Sequence, residues 1–430
     1  MRSTVQGLLG VRVRKILPAA VLSLLLAGCP DLAGSRPPDR TPLAATYPFA
    51  GGIETIAPQY FLHGRYLLFS NQSNPNQQIA FDTRTGALAW QTEFFPGNKY
   101  YYLAQNERYV YVWPLRDRPG ELVVVDPETG NPVVRLTDAQ LSEGATAGPF
   151  GNVVASNTRV YALSGRSGVA VFDLDPVTYL PTFVRKVTVE DVEDAAAPIH
   201  GLVFYVMSIA MDPNSHDVFV GANSYREYGN IPDLYRIDTD TGAVKWKADV
   251  EYPDNGRDAI AGRYAGHVSV VTLAGDVLVV QAGQSVQAFD PETGRRYWYY
   301  ELRCGGSVPG ALTDSQLYVP ETGRIYFGRG SQSCFYSVAA SRERPDPWTL
   351  DTQDYPFAAT PQEGLPTYLD GVLYFFNGAL WAVDPYSGKP VSLSSERVFG
   401  YGTVVSIFND GRYVYVPGPD AIHAFEPVRR

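Results

Sequence analysis

The chain has 430 residues and a formal net charge of −10, with 45 acidic and 35 basic residues. An acidic surface of this kind argues against nucleic acid and anionic lipid as main ligands. The chain holds 40 glycines, 33 prolines and 29 tyrosines, a composition typical of many short strands joined by turns.

The first predicted element is a secretory signal peptide over residues 1–28. It contains an apolar run, Ile16–Gly28, which is shorter than the about 20 residues of a membrane-spanning helix. The run ends in LAGC, which resembles a bacterial lipobox and makes Cys29 the predicted lipidation site. An ordinary signal peptide with a nearby cysteine is the alternative. The basic residues before the run are Arg2, Arg12, Arg14 and Lys15, so their removal changes the net charge from −10 to −14.

Residues 29–46 are the next predicted element. They begin with the lipidated cysteine and continue as PDLAGSRPPDRTPLAAT, which is rich in proline and small residues and lacks strand or helix periodicity. This composition predicts a flexible tether. The remaining residues, 47–430, are assigned to one folded domain.

A short motif recurs along that domain. In its complete form an aspartate is followed by glycine at the fourth position and tryptophan at the eighth, as in AFDPETGRRYW, Ala288–Trp298. Five copies keep the aspartate and glycine, and three further copies are degenerate, around Asp173 and Asp175, at Ala340 with Trp348, and at Glu426. The five copies are Asp82, Gly86 and Trp90; Asp126 and Gly130; Asp238, Gly242 and Trp246; Asp290, Gly294 and Trp298; and Asp384 and Gly388.

The spacing of the copies, 42–65 residues, predicts an eight-bladed β-propeller built from four-stranded antiparallel sheets. Alternating apolar and polar residues indicate half-buried strands, for example over residues 108–113, 276–282 and 412–418. Because two copies are weak, seven blades remain the alternative.

The motif itself predicts a hairpin between the third and fourth strands of a blade. The aspartate accepts backbone N–H groups, the proline after it has its φ already set, and the glycine closes the turn in the left-handed region. The tryptophan is then expected on the outer strand, packed between adjacent sheets. A set of tryptophans that stack on a ligand is the alternative interpretation.

The repeat resembles the pyrroloquinoline-quinone-type β-propeller family, in which a strand is followed by Asp, a Thr-Gly turn and Trp. Together with the lipobox, the chain is similar to the BamB-like lipoproteins of that family, which are accessory subunits of the outer-membrane β-barrel assembly machinery. The resemblance implies a non-enzymatic, membrane-tethered scaffold without cofactor or metal that binds envelope proteins. It also implies an outer-membrane location facing the periplasm.

Quinone-dependent dehydrogenases share this repeat and are one alternative function. They carry two adjacent cysteines, whereas the cysteines here are Cys29, Cys304 and Cys334. A glycan-binding module is the other alternative, with aromatic clusters at residues 98–105 and 297–301. His200 and His267 each precede a predicted inner strand, but no spacing typical of metal ligands accompanies them.

Propeller topology places the loops that hold Cys304 and Cys334 on one face, and in an oxidising compartment this pair is predicted to form a disulfide. Two free or buried thiols are the alternative. Residues 223–233 and 251–267 are longer than the architecture requires and are expected as loops on the same face. Their aromatic and basic residues are typical of protein interfaces and form the predicted partner site: Tyr225, Arg226, Tyr228, Arg257, Arg263 and Tyr264.

The last unit has three strands and lacks an outer fourth strand. We expect a segment within residues 44–57 to supply it by pairing with residues 421–427. A ring closed in this way leaves no long unpaired edge. We therefore expect a monomeric fold in which both chain ends belong to one blade.

Overall fold

The computed structural model confirms a β-propeller whose described strands form eight four-stranded antiparallel sheets rather than seven. The structure describes residues 37–48, 56–71, 77–94, 101–114, 121–137, 153–164, 168–189, 203–226, 229–251, 268–283, 285–302, 316–328, 334–351, 365–395, 406–418 and 421–429. Within these ranges no helix is long and apolar enough to span a bilayer.

Strand β1 (Leu43–Pro48) belongs to the last blade, and the other strands follow blade by blade. Blades 1 and 2 contain β2 (Ile56–His63), β3 (Tyr66–Asn71), β4 (Gln77–Asp82) and β5 (Ala87–Thr92), then β6 (Tyr101–Gln105), β7 (Val110–Pro114), β8 (Glu121–Val125) and β9 (Pro132–Thr137). Blades 3 and 4 contain β10 (Val153–Ala155), β11 (Arg159–Ser164), β12 (Gly168–Leu174) and β13 (Pro181–Thr188), then β14 (Val203–Met211), β15 (Asp217–Arg226), β16 (Gly229–Asp238) and β17 (Val244–Asp249).

The second half of the ring repeats the same plan. Blades 5 and 6 contain β18 (Val268–Ala274), β19 (Val277–Ala282), β20 (Ser285–Phe289) and β21 (Arg296–Glu301), then β22 (Leu317–Val319), β23 (Arg324–Gly328), β24 (Cys334–Ala339) and β25 (Trp348–Asp351). Blades 7 and 8 contain β26 (Thr367–Leu369), β27 (Val372–Phe376), β28 (Leu380–Val383) and β29 (Pro390–Leu393), then β30 (Phe408–Asn409), β31 (Val414–Pro417) and β32 (Ala421–Phe425).

Each pair of neighbouring blades shares its own hydrophobic core. The middle strands supply it, because β19, β23 and β31 are buried on both faces. The cores joining successive blades, from blades 1 and 2 round to blades 8 and 1, number eight among the described residues. The last of them packs Phe81 of blade 1 against Tyr415 of blade 8, so the ring is closed.

The predicted closure of blade 8 by the N-terminal segment is confirmed. β1 pairs with β32 in antiparallel register, with Tyr47 opposite Ile422 and Pro48 opposite Ala421. Residues 56 and 57 were included in the predicted closing segment, but they belong to β2 of blade 1.

The compact unit of the propeller begins before the predicted domain boundary. Residues 43–46, assigned to the tether, lie in β1, and residues 37–430 cluster as one compact unit. The tether prediction failed here because proline-rich segments lack periodicity even when their backbone groups bond to a neighbouring sheet. Pro42 does so, since its carbonyl accepts the backbone N–H of Glu426 at 3.0 Å.

Strand direction alternates within each sheet, so the ring has two distinct faces. The turns between strands 1 and 2 and between strands 3 and 4 lie on one side, which we call the turn face. The hairpins between strands 2 and 3 and the connections to the next blade lie on the other, which we call the connection face. Most of the described loop residues belong to the turn face.

Candidate functional site

The repeated motif forms the predicted turn on the turn face. In blade 5 the Asp290 carboxylate accepts the backbone N–H of Glu292 at 2.8 Å and of Thr293 at 3.2 Å. Gly294 has a φ of 70° and donates its N–H to the Asp290 carbonyl at 2.9 Å. The carboxylate bond to the second residue and the glycine N–H bond recur at Asp82, Asp126, Asp238 and Asp384.

The tryptophans of the motif lock each blade to the next. The indole N–H of Trp90 donates to the Pro127 carbonyl at 2.8 Å, and that of Trp246 donates to the Pro291 carbonyl at 3.0 Å. Trp298 and Trp348 donate in the same way to Ser341 and Pro385. The prediction that these rings pack between sheets is confirmed, and their polar atoms are engaged within the protein rather than presented to a ligand.

Two features require glycine at this position of the motif. Its φ is positive, and the indole of the preceding blade lies where a Cβ atom would be. A Cβ atom on Gly294 would lie 2.7 Å from Cε3 of Trp246, and one on Gly388 would lie 2.5 Å from Cε3 of Trp348. Gly130 meets Trp90 in the same way. Gly86 of blade 1 lies against Tyr47 of the closing strand, so a tyrosine takes the tryptophan's place there, which the sequence pattern did not reveal.

The degenerate third copy of the motif forms the same kind of turn. Its turn aspartate is Asp175 rather than Asp173, because the Asp175 carboxylate accepts the N–H groups of Val177 and Thr178. Tyr179 takes the glycine's place with a φ of 58°. Blade 2 carries Val134 where complete copies of the motif carry tryptophan, so a side chain at position 179 meets no indole.

Buried arginines add ionic contacts around blade 4. Arg236 is 5% exposed, and it bonds to Asp217 at 2.6 Å and to the Pro291 carbonyl of blade 5 at 2.9 Å. Arg159 of blade 3 bonds to Asp240 of blade 4 at 2.7 Å. Arg159 thus joins blade 3 to blade 4, and Arg236 adds to the contact of Trp246 between blades 4 and 5. The sequence analysis did not identify either arginine.

Hydrogen bonds in the turns stabilise the charged form of three carboxylates and so lower their pKa values. Backbone N–H donation from Thr178 and Thr241 holds the pKa values of Asp175 and Asp238 below their ordinary range. A hydrogen bond from His216 lowers the pKa of Asp240. All three favour the folded state above pH about 4 and lose that contribution as the pH falls through their folded pKa values.

Polar side chains also join the inner strands of neighbouring blades. His63 Nδ1 lies 3.1 Å from Gln105 Oε1, and Gln105 donates to the Leu62 carbonyl at 3.2 Å. Farther round the ring, Thr272 bonds to Gln316 at 3.0 Å and Asn409 bonds to Thr367 at 2.6 Å. These contacts align the inner strands of neighbouring blades.

His63 supplies a prediction of pH dependence. Burial lowers its pKa below the ordinary value of 6.5. The unfolded chain therefore takes up a proton first as the pH falls below about 6.5, and the folded state loses stability there. His63→Gln should reduce the loss in melting temperature between pH about 7.5 and about 5.5, measured by differential scanning calorimetry. An identical loss in both proteins would contradict this assignment.

Tyr225 and Arg226 of the predicted partner site lie on an extended hairpin and not in a loop. Residues 223–226 and 229–233 lie in β15 and β16, which remain paired up to Arg226 opposite Gly229. Their polar composition suggested a loop, but backbone pairing along both strands extends the sheet. Tyr225 and Arg226 therefore lie at the tip of a hairpin on the connection face of blade 4.

Only part of the predicted site can be placed. Tyr228, Arg257, Arg263 and Tyr264 lie outside the described residues, as do His200 and His267. β16 pairs with β15 on one side and with β17 on the other. The pairing with β17 begins at Asp233, so Gly229–Pro232 of β16 extend past the end of β17.

Of the three cysteines, Cys334 lies within the described residues. Cys334 is buried at the start of β24 and is disulfide-bonded. Cys304 and Cys29 lie outside the described residues. The Cys304–Cys334 pairing and the lipidation of Cys29 therefore stay predictions.

The aromatic cluster at residues 297–301 lies in β21. Trp298 is buried and donates to the next blade, and the Tyr297 hydroxyl donates to Asp290 at 2.9 Å. These contacts assign both rings to packing of the blade. The other cluster, residues 98–105, lies partly outside the described residues.

A quinone cofactor held by calcium requires a cluster of oxygen ligands around the ion. Within the described ranges, no group of three His, Cys, Asp or Glu side chains is arranged to hold a metal ion. The cysteines at positions 29, 304 and 334 also cannot form the vicinal disulfide of the quinone enzymes.

Comparison with known families decides the membership of the chain. The model of the outer membrane protein assembly factor BamB matches residues 68–207 and 217–344. This protein belongs to the BamB family. No curated protein matches it.

Solved structures share the fold of this BamB-family chain. BamB from Moraxella catarrhalis is 14% identical, with a TM-score of 0.53 over 90% of this chain and 100% of that one. A europium-containing methanol dehydrogenase is 13% identical, with a TM-score of 0.56 over 90% and 94%. The dihydro-heme d1 dehydrogenase NirN is 12% identical, with a TM-score of 0.52 over 80% and 67%. At these identities the likeness concerns the fold alone.

Proposed function

We propose that this protein is a non-enzymatic scaffold, anchored through a lipid on Cys29, that binds another envelope protein during outer-membrane protein assembly. The observation that supports this most strongly is the match of the BamB family model over residues 68–207 and 217–344. The signal segment and lipobox add export and anchoring, and they suggest the periplasmic side of the outer membrane.

The proposed partner surface is the connection face of blade 4. The β15–β16 hairpin carries ten residues in each strand, whereas β19 and β20 of the next blade carry six and five. Such a projection offers backbone groups for strand pairing, together with tyrosine and arginine side chains, which are enriched at interfaces. The residues proposed to contact the partner are Tyr225, Arg226, Tyr228, Arg257, Arg263 and Tyr264.

An affinity experiment tests this function. The lipidated protein should be recovered from detergent-solubilised envelopes, and its partners identified by mass spectrometry. We expect envelope proteins of the outer-membrane assembly system, and we expect Arg226→Ala, Tyr228→Ala and Arg263→Ala together to reduce their recovery at least about tenfold, the effect of losing more than 1.4 kcal/mol of binding.

A matched control uses the same residue types on the opposite face. Arg84, Arg295 and Tyr386 are exposed on the turn face, and their combined alanine variant should keep full recovery. Equal loss in both variants would place the interface elsewhere. A visible absorbance band from a quinone bound to the purified protein would contradict the scaffold function and indicate an enzyme.

A further inference from the structure

The segment between the predicted lipidation site and the propeller is partly built into the ring. Residues 38–42, which we call the strap, bond to the outer strand of blade 7 before β1 begins. The Pro38 carbonyl accepts the N–H of Leu393 at 3.3 Å, and the Arg40 N–H donates to Ser392 Oγ at 2.7 Å. The Asp39 carboxylate accepts the N–H of Ser395 at 2.9 Å.

The strap occupies the place where another blade would present its indole. Ser392 is the eighth residue after Asp384, the position that holds tryptophan in complete copies of the motif. Thr41 is fully buried there, with its hydroxyl 3.3 Å from Ser392 Oγ. The strap then reaches blade 8, where the Pro42 carbonyl accepts the N–H of Glu426. It is therefore a packed part of the joint between blades 7 and 8.

From this arrangement we infer that the strap keeps the edge formed by blades 7 and 8 as the part of the propeller nearest the lipid surface. The inference rests on the proposed lipidation of Cys29. Eight residue steps separate Cys29 from Pro37, and an extended chain covers at most about 26–29 Å over them. If the chain were free as far as Leu43, fourteen steps would cover about 46–50 Å.

The position of the strap also orients the proposed partner surface. Blade 4 is four steps from blade 8 in the ring of eight, so it lies diametrically opposite. A short connection at blades 7 and 8 keeps the long hairpin of blade 4 on the side away from the membrane. The partner is then met in the aqueous space and not at the lipid surface.

Two exposed turn residues provide matched probes. Val177 and Tyr386 are 75% and 59% exposed, and each is the second residue after its turn aspartate, in blades 3 and 7. Blades 3 and 7 are opposite one another. Val177→Cys and Tyr386→Cys variants would be labelled with a fluorescent donor and bound through the lipid to phosphatidylethanolamine–phosphatidylglycerol vesicles that carry a headgroup acceptor. The chain without either change serves as the labelling blank.

Energy transfer to the bilayer should be several-fold stronger from position 386 than from position 177. Inserting a flexible Gly-Ser segment of about 20 residues between Ala33 and Gly34 adds up to roughly 70 Å of reach and leaves the strap intact. In that variant the difference between the two positions should disappear. Equal transfer from both positions in the native-length chain, or a difference that survives the insertion, would overturn the inference.

Vesicle binding separates this inference from the proposed anchoring. If Cys29→Ser binds vesicles as well as the native chain, or the native chain does not bind, the lipid anchor and the inference both fail. If the native chain binds through Cys29 and the two probes report equal transfer, only the inference that blades 7 and 8 lie nearest the bilayer fails.

Discussion

Removal of residues 29–48 is expected to abolish cooperative unfolding of the whole propeller. The deletion takes away β1 and leaves β32 as an unpaired edge beside blade 1. It also removes Tyr47, whose ring lies 5.1 Å from that of Phe81 and covers Gly86. Because domains are stable by only about 5–15 kcal/mol, loss of a strand together with an interblade contact is enough to open the ring.

The matched control for this deletion is removal of residues 29–36 alone. It leaves the strap and β1 in place, so the melting transition should be preserved. Both proteins would be produced without the signal segment and compared by calorimetry and by binding of a hydrophobic dye. A sharp, native-like transition after deletion of residues 29–48 would show that three strands are sufficient for blade 8.

Gly294→Asn is expected to destabilise the protein by about 2–4 kcal/mol, because it combines overpacking with displacement of a packed indole. Asparagine tolerates the positive φ of 70° at this position, so the backbone conformation is not the cause. The new Cβ would lie 2.7 Å from Cε3 of Trp246 and push that ring away. The hydrogen bond from Trp246 to the Pro291 carbonyl would then be lost.

Gly242 supplies the control for this substitution. Its φ is 81°, and the nearest atom to an added Cβ is a Val187 methyl group at 4.0 Å. Gly242→Asn should therefore cost less than about 1 kcal/mol. Urea denaturation of the two variants, and of Gly294→Asn in a Trp246→Ala background, measures the coupling. If the cost at position 294 is unchanged without the indole, steric contact with Trp246 is not its source.

The interblade contacts show how a ring tolerates imperfect repeats. Blade 2 lacks the tryptophan, and the next turn carries Tyr179 in place of glycine, with its carbonyl accepting the Tyr111 hydroxyl at 3.1 Å. Blade 7 lacks it as well, and the strap fills the joint through Thr41. Loss of the indole at one joint is thus accompanied by a different local contact.

Local rules account for the features that could be predicted. The Asp-to-Gly turn and the outer-strand tryptophan could be predicted from the sequence, because each depends on a few neighbouring residues and recurs at a regular spacing. The strand predicted over residues 276–282 is β19, Val277–Ala282. Closure by the N-terminal segment followed from the missing fourth strand of the last unit.

The sequence did not predict contacts between residues that are far apart in the chain. The role of Tyr47 over Gly86 depends on segments brought together only by ring closure. The strap and the long hairpin at residues 217–238 carry no apolar periodicity along their full length, and their backbone pairing emerges only beside neighbouring strands. A short motif repeated along the chain thus determined the blades, and the structure decided that they number eight and not seven. The tertiary structure decided how the blades are joined and where the chain enters the ring, because those contacts link residues of different blades, as far apart as Arg40 and Ser392, which are separated by 352 positions.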